Sequence, residues 1–316
     1  MSSTASLPGA ETIMSDIKLF KIDGDRVAEI PGRAVAVEKS LQKLIERHLE
    51  TILSVRFLAS EYSTGKAHGG RIDTLGIDEN DCPVLIEYKR ALNENVINQG
   101  LFYLDWLLDH KADFKLLVQQ RLGKDAAEVI EWSSPRLICI AGDFTKYDEH
   151  AVQQIDKSIE LLRYRKYGDG LLLLELVNAV AGESVEIAVE GESKSTGKYK
   201  GFEECLAQCS DDLRDRFENL KAFALALGDD VQMKQLKYYV AFRRLRNFAS
   251  VEVHHQSGQV LMYLKVEPST IKLEPDFTRD VTKIGHYGTG NLEVRIRSDA
   301  DLEKAKPLIS RSYEES

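Results

Sequence analysis

Three side chains in one short stretch carry the chemistry of this chain. Asp73 stands in "GGRIDTLGID", and Glu87 and Lys89 stand in "PVLIEYKR", with Asp73 14 positions before Glu87. Side chains alternate along a strand, so Glu87 and Lys89 point to one face. If the two segments pair as a hairpin across "DENDC", Asp73 comes beside them. Two carboxylates then hold a hard divalent cation, Mg2+ or Mn2+, which prefers oxygen ligands, and the carbonyl of Tyr88 is placed to add a third. Lys89 can position a water and help to deprotonate it for attack on phosphorus, while the cation stabilises the extra charge of the transition state.

The plain alternative is a surface ion pair, because an E-x-K tripeptide is common. Here the residues before Glu87 are of the buried type and the strand reads as central. A charged pair on such a strand needs partners or a function.

The elements that must position these residues read as an α/β unit. Residues 17–30 form two short strands around an Asp23–Gly24–Asp25 turn. From Ala36 the pattern turns helical, with Val37, Leu41, Leu44, Ile45, Leu49, Ile52 and Leu53 forming one apolar stripe. A strand at 55–62, a flexible "STGKAHGG" connector, the strand 71–77 and the strand of "PVLIEYKR" follow. Residues 95–117 read as helix, "RLICIAG" as a buried strand, 148–162 as helix and "GLLLLELV" as a strand. The expected fold class is α/β with a mixed central sheet flanked by helices, plus a smaller α+β C-terminal domain. Its expected bounds are a disordered tail at 1–14, a catalytic domain at 15–180, a Gly/Ser/Glu/Lys-rich linker at 181–200 and the second domain at 201–316.

"GGRIDTLGID…PVLIEYKR" resembles the core of the PD-(D/E)XK nuclease superfamily, whose core is the restriction-endonuclease-like fold. Within it the chain is similar to the nuclease domain of the archaeal and actinobacterial mismatch-specific endonucleases, with their "G-x-I-D" and "I-E-L-K-R". The resemblance implies that Asp73 and Glu87 are metal ligands and Lys89 the catalytic lysine. It also implies a glutamate from the preceding helix, at Glu38, with Glu46 in reserve. Gln99 and Tyr103 share a helix face four residues apart. They match the Q-x-x-x-Y of many such nucleases, although a core tyrosine and a solvated glutamine fit the same spacing. Arg90 resembles the arginine ending that motif and could grip a phosphate as a fork, with Arg71 a weaker candidate of the same kind. The likeness is good over residues 36–110 and loose over 111–180. The mismatch enzymes carry their extra domain on the N-terminal side and act as dimers. Mismatch specificity therefore does not transfer, and a homodimer is one partner expectation.

Residues 201–316 resemble a small domain of unknown function through "YYVAFRRLRNFASVEV" and "IGHYGTGNLEVRI". Some of its relatives bear the label "predicted transport protein", which no span or signal in this chain supports. Lys234, Lys237, Arg243, Arg244 and Arg246 are interleaved there with Tyr238, Tyr239 and Phe242. They could track a phosphate backbone, or they could decorate a strand end whose aromatics are core. "RYRK" at 163–166 could border the same groove. The histidines lack zinc-ligand spacing, so no zinc is expected.

The chain has 316 residues, 43% hydrophobic and 29% charged, which is a globular balance. No apolar run approaches the ~20 residues of a membrane span, and residues 1–15 do not read as a secretory signal. Four cysteines without paired C-x-x-C spacing point to reduced thiols and a cytoplasmic protein. The net charge of −9 argues against broad coating of a nucleic acid but not against a local basic groove. The expectation is a metal-dependent endonuclease acting on nucleic acid, DNA ahead of RNA, in repair or defence. The alternative is a catalytically silent nucleic-acid-binding or assembly module.

Overall fold

The structure is a computed structural model and describes residues 17–33, 38–89, 96–180 and 201–316. The expected tail, the linker and Arg90 lie outside the described residues.

The chain opens with a hairpin, β1 (Leu19–Asp23) and β2 (Arg26–Ile30), closed by a two-residue loop in which Gly24 takes φ +60°. After the short β3 (Gly32–Arg33) come α1 (Glu38–Arg47) and α2 (Leu49–Leu53). Leu41, Ile45, Leu49 and Leu53 from the predicted stripe are buried against one face of the main sheet. Each contributes roughly 1.5–3 kcal/mol by that burial. Next come β4 (Val55–Ser63), a short α3 (Gly65–His68) where a flexible connector was expected, β5 (Arg71–Asp78) and β6 (Pro83–Lys89). Helices α4 (Val96–Asp109), α5 (Lys111–Leu122) and α6 (Lys124–Glu128) then cross to β7 (Arg136–Ala141).

The expected helix at 148–162 is corrected. Helix α7 (Lys146–Gln153) ends early, and Ser158–Tyr167 is strand β8, paired with β9 (Leu171–Val180). Ile155, Ile159 and Leu162 mimic a helical period only if Glu160 is read as a solvent-facing residue. Glu160 is instead buried at 1% exposure, bound to Arg136. The "RYRK" segment lies in β8, where Arg163 is buried between Asp143 and Glu175.

The sheet runs β9-β8-β7-β6-β5-β4, with β3 beside the far end of β8. Strands β6, β7 and β8 are parallel, and β4, β5 and β6 are antiparallel, so the sheet is mixed. Strand β6 sits in the middle, as its apolar run predicts. One face is covered by α1 and α2, the other by α4 and its neighbours. This is an α/β unit with a mixed central sheet flanked by helices.

The C-terminal unit begins with α8 (Phe202–Ala207) and α9 (Asp211–Leu225). Strands β10 (Gln232–Gln235), β11 (Val240–Arg243), β12 (Asn247–His254), β13 (Gln259–Leu264), β14 (Thr278–Asp280) and β15 (Leu292–Ile296) form an antiparallel sheet in the order β10-β11-β12-β13-β15-β14. Helices α9 and α10 (Asp299–Glu314) bury their apolar faces on it. The cap of α10 is Ser298: its hydroxyl accepts from the Asp301 amide, and the Asp301 carboxylate accepts from the Ser298 amide. Among the described residues no helix is long and apolar enough to cross a membrane.

The two units meet across buried polar groups. Arg136 donates to Asp78 at 3.0 Å and to Glu160 at 2.8 and 2.9 Å. Arg243, from the second unit, approaches Glu160 at 3.4 Å. Lys234 donates to the Ser134 carbonyl at 2.8 Å. Burial alone would raise Asp78 and Glu160, but the surrounding Arg136, Arg243 and Lys234 outweigh it and hold both carboxyls below their ordinary range. Removing one member leaves a buried charge uncompensated. Glu160→Gln should therefore lower unfolding free energy in urea by roughly 3–5 kcal/mol. Asp230→Asn, at the partly exposed Arg244 pair, should cost under about 1 kcal/mol. Equal losses in the two variants would show that the junction is not the stronger contact.

Candidate active site

Strands β5 and β6 pair from Ile77↔Pro83 to Thr74↔Ile86 and then part. Beyond that point β5 stays with β4 through Tyr62↔Ile72 and Ser63↔Arg71. The fork leaves backbone groups that the ladder no longer satisfies, and two carboxylates fill it. The Asp73 amide donates to Glu87 Oε1 at 3.1 Å, and the Tyr88 amide donates to Asp73 Oδ2 at 3.0 Å. Side chains thus replace two rungs of the ladder. A strand residue's N–H and C=O point to the same side, so the Tyr88 carbonyl also faces the fork.

Glu87 is fully buried, and its Oε2 has no hydrogen-bond partner. Burial, and then the Asp73 charge, push the Glu87 carboxyl up to about 9. Asp73 is also raised, first by burial, against the opposing pull of the Tyr88 amide and Lys89. The Lys89 ammonium draws both carboxyls down, which puts it within electrostatic reach of the pair. Both carboxyls are thus raised together, first by burial, and each one's charge or hydrogen bonding acts on the other.

This donor set fits a divalent cation. An orphaned buried carboxylate oxygen, a second carboxylate and a backbone carbonyl face one fork, and their mutual repulsion is what a cation would relieve. Among the described residues no group of three or more His, Cys, Asp or Glu side chains comes together. Among the described residues the charged donors at the fork are therefore Asp73 and Glu87.

The remaining expected residues are placed as follows. Gln99 Nε2 donates to the Tyr103 hydroxyl at 3.4 Å, and the Arg71 amide donates to the same hydroxyl at 3.3 Å, two residues from Asp73. Tyr103 is buried, so it is both core and wall of the site. Gly70 permits this approach, since a Cβ there would meet the Tyr103 ring at 2.6 Å. Arg71 is 67% exposed and pairs with Glu61 at 3.3 Å. Glu38 is the first residue of α1, and its side chain lies outside the described set. Glu46 is the helix glutamate tied to β5, accepting from the Thr74 hydroxyl at 2.6 Å and from Gln42 at 3.1 Å. Gln42 in turn donates to the Asp73 carbonyl at 2.9 Å.

The five cations of the second unit do not form one surface. Lys234 and Arg243 are buried at the junction. Arg244 is engaged with Asp230 and the Tyr313 ring, and Arg246 donates to the Thr51 carbonyl at 3.3 Å. Lys237 is exposed over Tyr238. Phe242 is core, and Tyr239 donates to Asn80 at 2.9 Å. A strand-end cation is drawn inward here because buried Asp78 and Glu160 must be neutralised.

One residue went unread in the sequence. Glu61 lies between the Ser60↔Thr74 and Tyr62↔Ile72 pairs, opposite Asp73, with φ +51°. Its charge raises Asp73. A non-glycine residue in that region costs about 1–3 kcal/mol and collects at functional sites. Nothing in "ASEYS" distinguishes it.

These features define a two-carboxylate, one-lysine centre in a forked hairpin at the middle of a mixed α/β sheet. Residues 203–316 match the domain of unknown function DUF5655. An uncharacterized protein of Haemophilus influenzae is 27% identical over 308 residues, covering 95% of this chain and 100% of its own. Among solved structures, a repair endonuclease from Pyrococcus abyssi aligns at 17% identity and TM-score 0.28, over 43% of this chain and 51% of that one. An EndoMS–dsDNA complex aligns at 20% identity and TM-score 0.24, over 42% and 47%. The aligned part spans about half the length of each of those solved chains.

The raised Glu87 carboxyl makes a signed prediction. An acid held above its unfolded value adds stability that is complete below about pH 4.5 and lost as pH rises toward 9. Without divalent cation, Glu87→Gln should therefore be more stable than wild type at pH 8, by more than about 1 kcal/mol at 1.4 kcal/mol per pKa unit. The two should converge near pH 4. Thermal unfolding across that pH range in chelator checks it, and parallel pH profiles would contradict it.

Proposed function

We propose that this protein is a metal-dependent phosphodiesterase of the PD-(D/E)XK kind that cuts nucleic acid, with DNA the preferred substrate. The observation that carries this reading is the mutually repelling pair of buried Glu87 and half-buried Asp73, with Glu87 Oε2 orphaned and Lys89 in electrostatic reach of both carboxyls. Asp73, Glu87 and the Tyr88 carbonyl would hold Mg2+ or Mn2+. When bound, such a cation supplies charge stabilisation at phosphorus and makes a water easier to ionise.

The chain's own groups do the rest. Lys89 orients the attacking water and accepts part of its developing negative charge through an N–H donor. Asp73, locked by the Tyr88 amide, fixes the reacting geometry, and the fork prevents it from swinging away. Gln99 and Tyr103 hold the strand entering the site, and Glu46 supports β5 from the opposite face through Thr74. Arg71 is the exposed guanidinium nearest Asp73 in the chain, suited to a phosphate oxygen.

A second reading is a silent nucleic-acid-binding or assembly module, although burial of Lys234 and Arg243 at the junction takes away two cations that such a module could have set against a phosphate backbone. One experiment separates the two. Labelled single-stranded, duplex, mismatched and branched DNA, with RNA alongside, are incubated with Mg2+ or Mn2+ and wild type, Asp73→Asn or Lys89→Ala. The expected outcome is cation-dependent cutting that falls at least about 100-fold in both variants. Binding by all three proteins without any cutting would select the module.

A further inference from the structure

A row of rings leads from the core to the surface beside the candidate centre. Tyr62 and Trp106 lie 5.8 Å apart, and Trp106 stacks on His110 at 4.5 Å and 16°. His110 meets His68 edge-on at 5.9 Å, and His68 lies 5.3 Å from Phe102. Phe102 is the open end, with 47% of its surface exposed. It also lies 5.7 Å from Tyr103, whose hydroxyl receives the Arg71 amide two residues before Asp73. A lone exposed phenylalanine would need no explanation. This one ends a row of ring contacts in which Trp106 and His110 stack and the others are tilted or edge-on, and the neighbouring Tyr103 ties the same helix to β5 two residues before Asp73.

The surrounding charge favours a particular occupant. Lys66 and Arg71 are exposed on either side of His68 in the chain. Asp105 and Asp109 are exposed farther along α4. Cations toward the hairpin and acids toward the far end of α4 would seat a phosphodiester backbone over the hairpin, with a base turned toward the rings. In a duplex both faces of a base are already stacked, so only an unpaired base can add itself to the row.

We infer that the exposed Phe102 ring, with His68 tilted 46° at its side, is a stacking face for an unpaired nucleobase next to the bond that is cut, making single-stranded or distorted nucleic acid the substrate class. This rests on the nuclease reading and deepens it.

The test uses the full chain and DNA carrying 2-aminopurine in an unpaired segment, with a matched duplex as control. Base stacking is worth about 1–3 kcal/mol, so Phe102→Ala should weaken binding of the unpaired substrate roughly 5- to 100-fold. It should also release the quenching of 2-aminopurine and leave duplex binding within about twofold. Phe102→Tyr, which keeps a ring, should restore both, and Mn2+ binding at Asp73 and Glu87 should be the same in all three proteins. KM should move more than kcat. Equal binding and equal quenching in wild type and Phe102→Ala overturn the stacking face, while the nuclease reading survives if wild type still cuts. A stacking effect without cutting by wild type sinks the catalytic reading and keeps the stacking face. No binding of either DNA overturns both.

Discussion

The parting of β5 and β6 is the constraint on which the rest of the candidate centre depends. An antiparallel ladder satisfies its amides automatically, so a fork inside a covered sheet must be satisfied by something else. Here Asp73 and Glu87 take that role reciprocally, each bonded to the other strand's backbone. The same two bonds bring two carboxyls together in a place poor in water. Satisfying the backbone and bringing together two carboxyls with raised pKa values are therefore one structural event. The left-handed Glu61 opposite Asp73 belongs to it too, because β4 must follow β5 away from β6 at that point.

The hairpin is gripped at its other end by the second unit. The "DENDC" turn is closed by Asp78, whose carboxylate accepts from the Asn80 and Cys82 amides. Asn247 then donates to Glu79 and Asn80, Tyr239 donates to Asn80, and Lys265 pairs with Glu79 at 2.6 Å. Cys82 packs with Leu236, Tyr239 and Ala241. The strands that carry Asp73 and Glu87 are thus anchored by residues more than a hundred positions away. A side-chain period of two makes register unforgiving: a slip of one residue at this turn would turn Glu87 to the wrong face. The C-terminal sheet gives the hairpin a fixed reference.

Burying five charged groups at that junction is a poor way to gain stability, since desolvation offsets most of the attraction. What it supplies is geometry. A guanidinium fork such as Arg136 accepts few arrangements of Asp78 and Glu160, and Arg243 adds a further directional demand. Apolar packing between the units would tolerate sliding that these bonds do not.

By itself the sequence determined the alternation that puts Glu87 and Lys89 on one face, the hairpin that brings Asp73 near, and the central position of β6. These depend on neighbours within about twenty residues, where period and turn chemistry decide the outcome. The pairing of Gln99 with Tyr103 was legible for the same reason, since helical spacing sets it. Other features depended on groups distant in the chain. Glu160 looked like the polar face of a helix until Arg136 made it the interior of a strand, and Lys234 and Arg243 looked like surface cations until Asp78 and Glu160 drew them in. The strained Glu61 and the row of rings ending at Phe102 were likewise invisible in one dimension. A charge is inside or outside according to the partner it finds, and tertiary structure alone decides which partner that is.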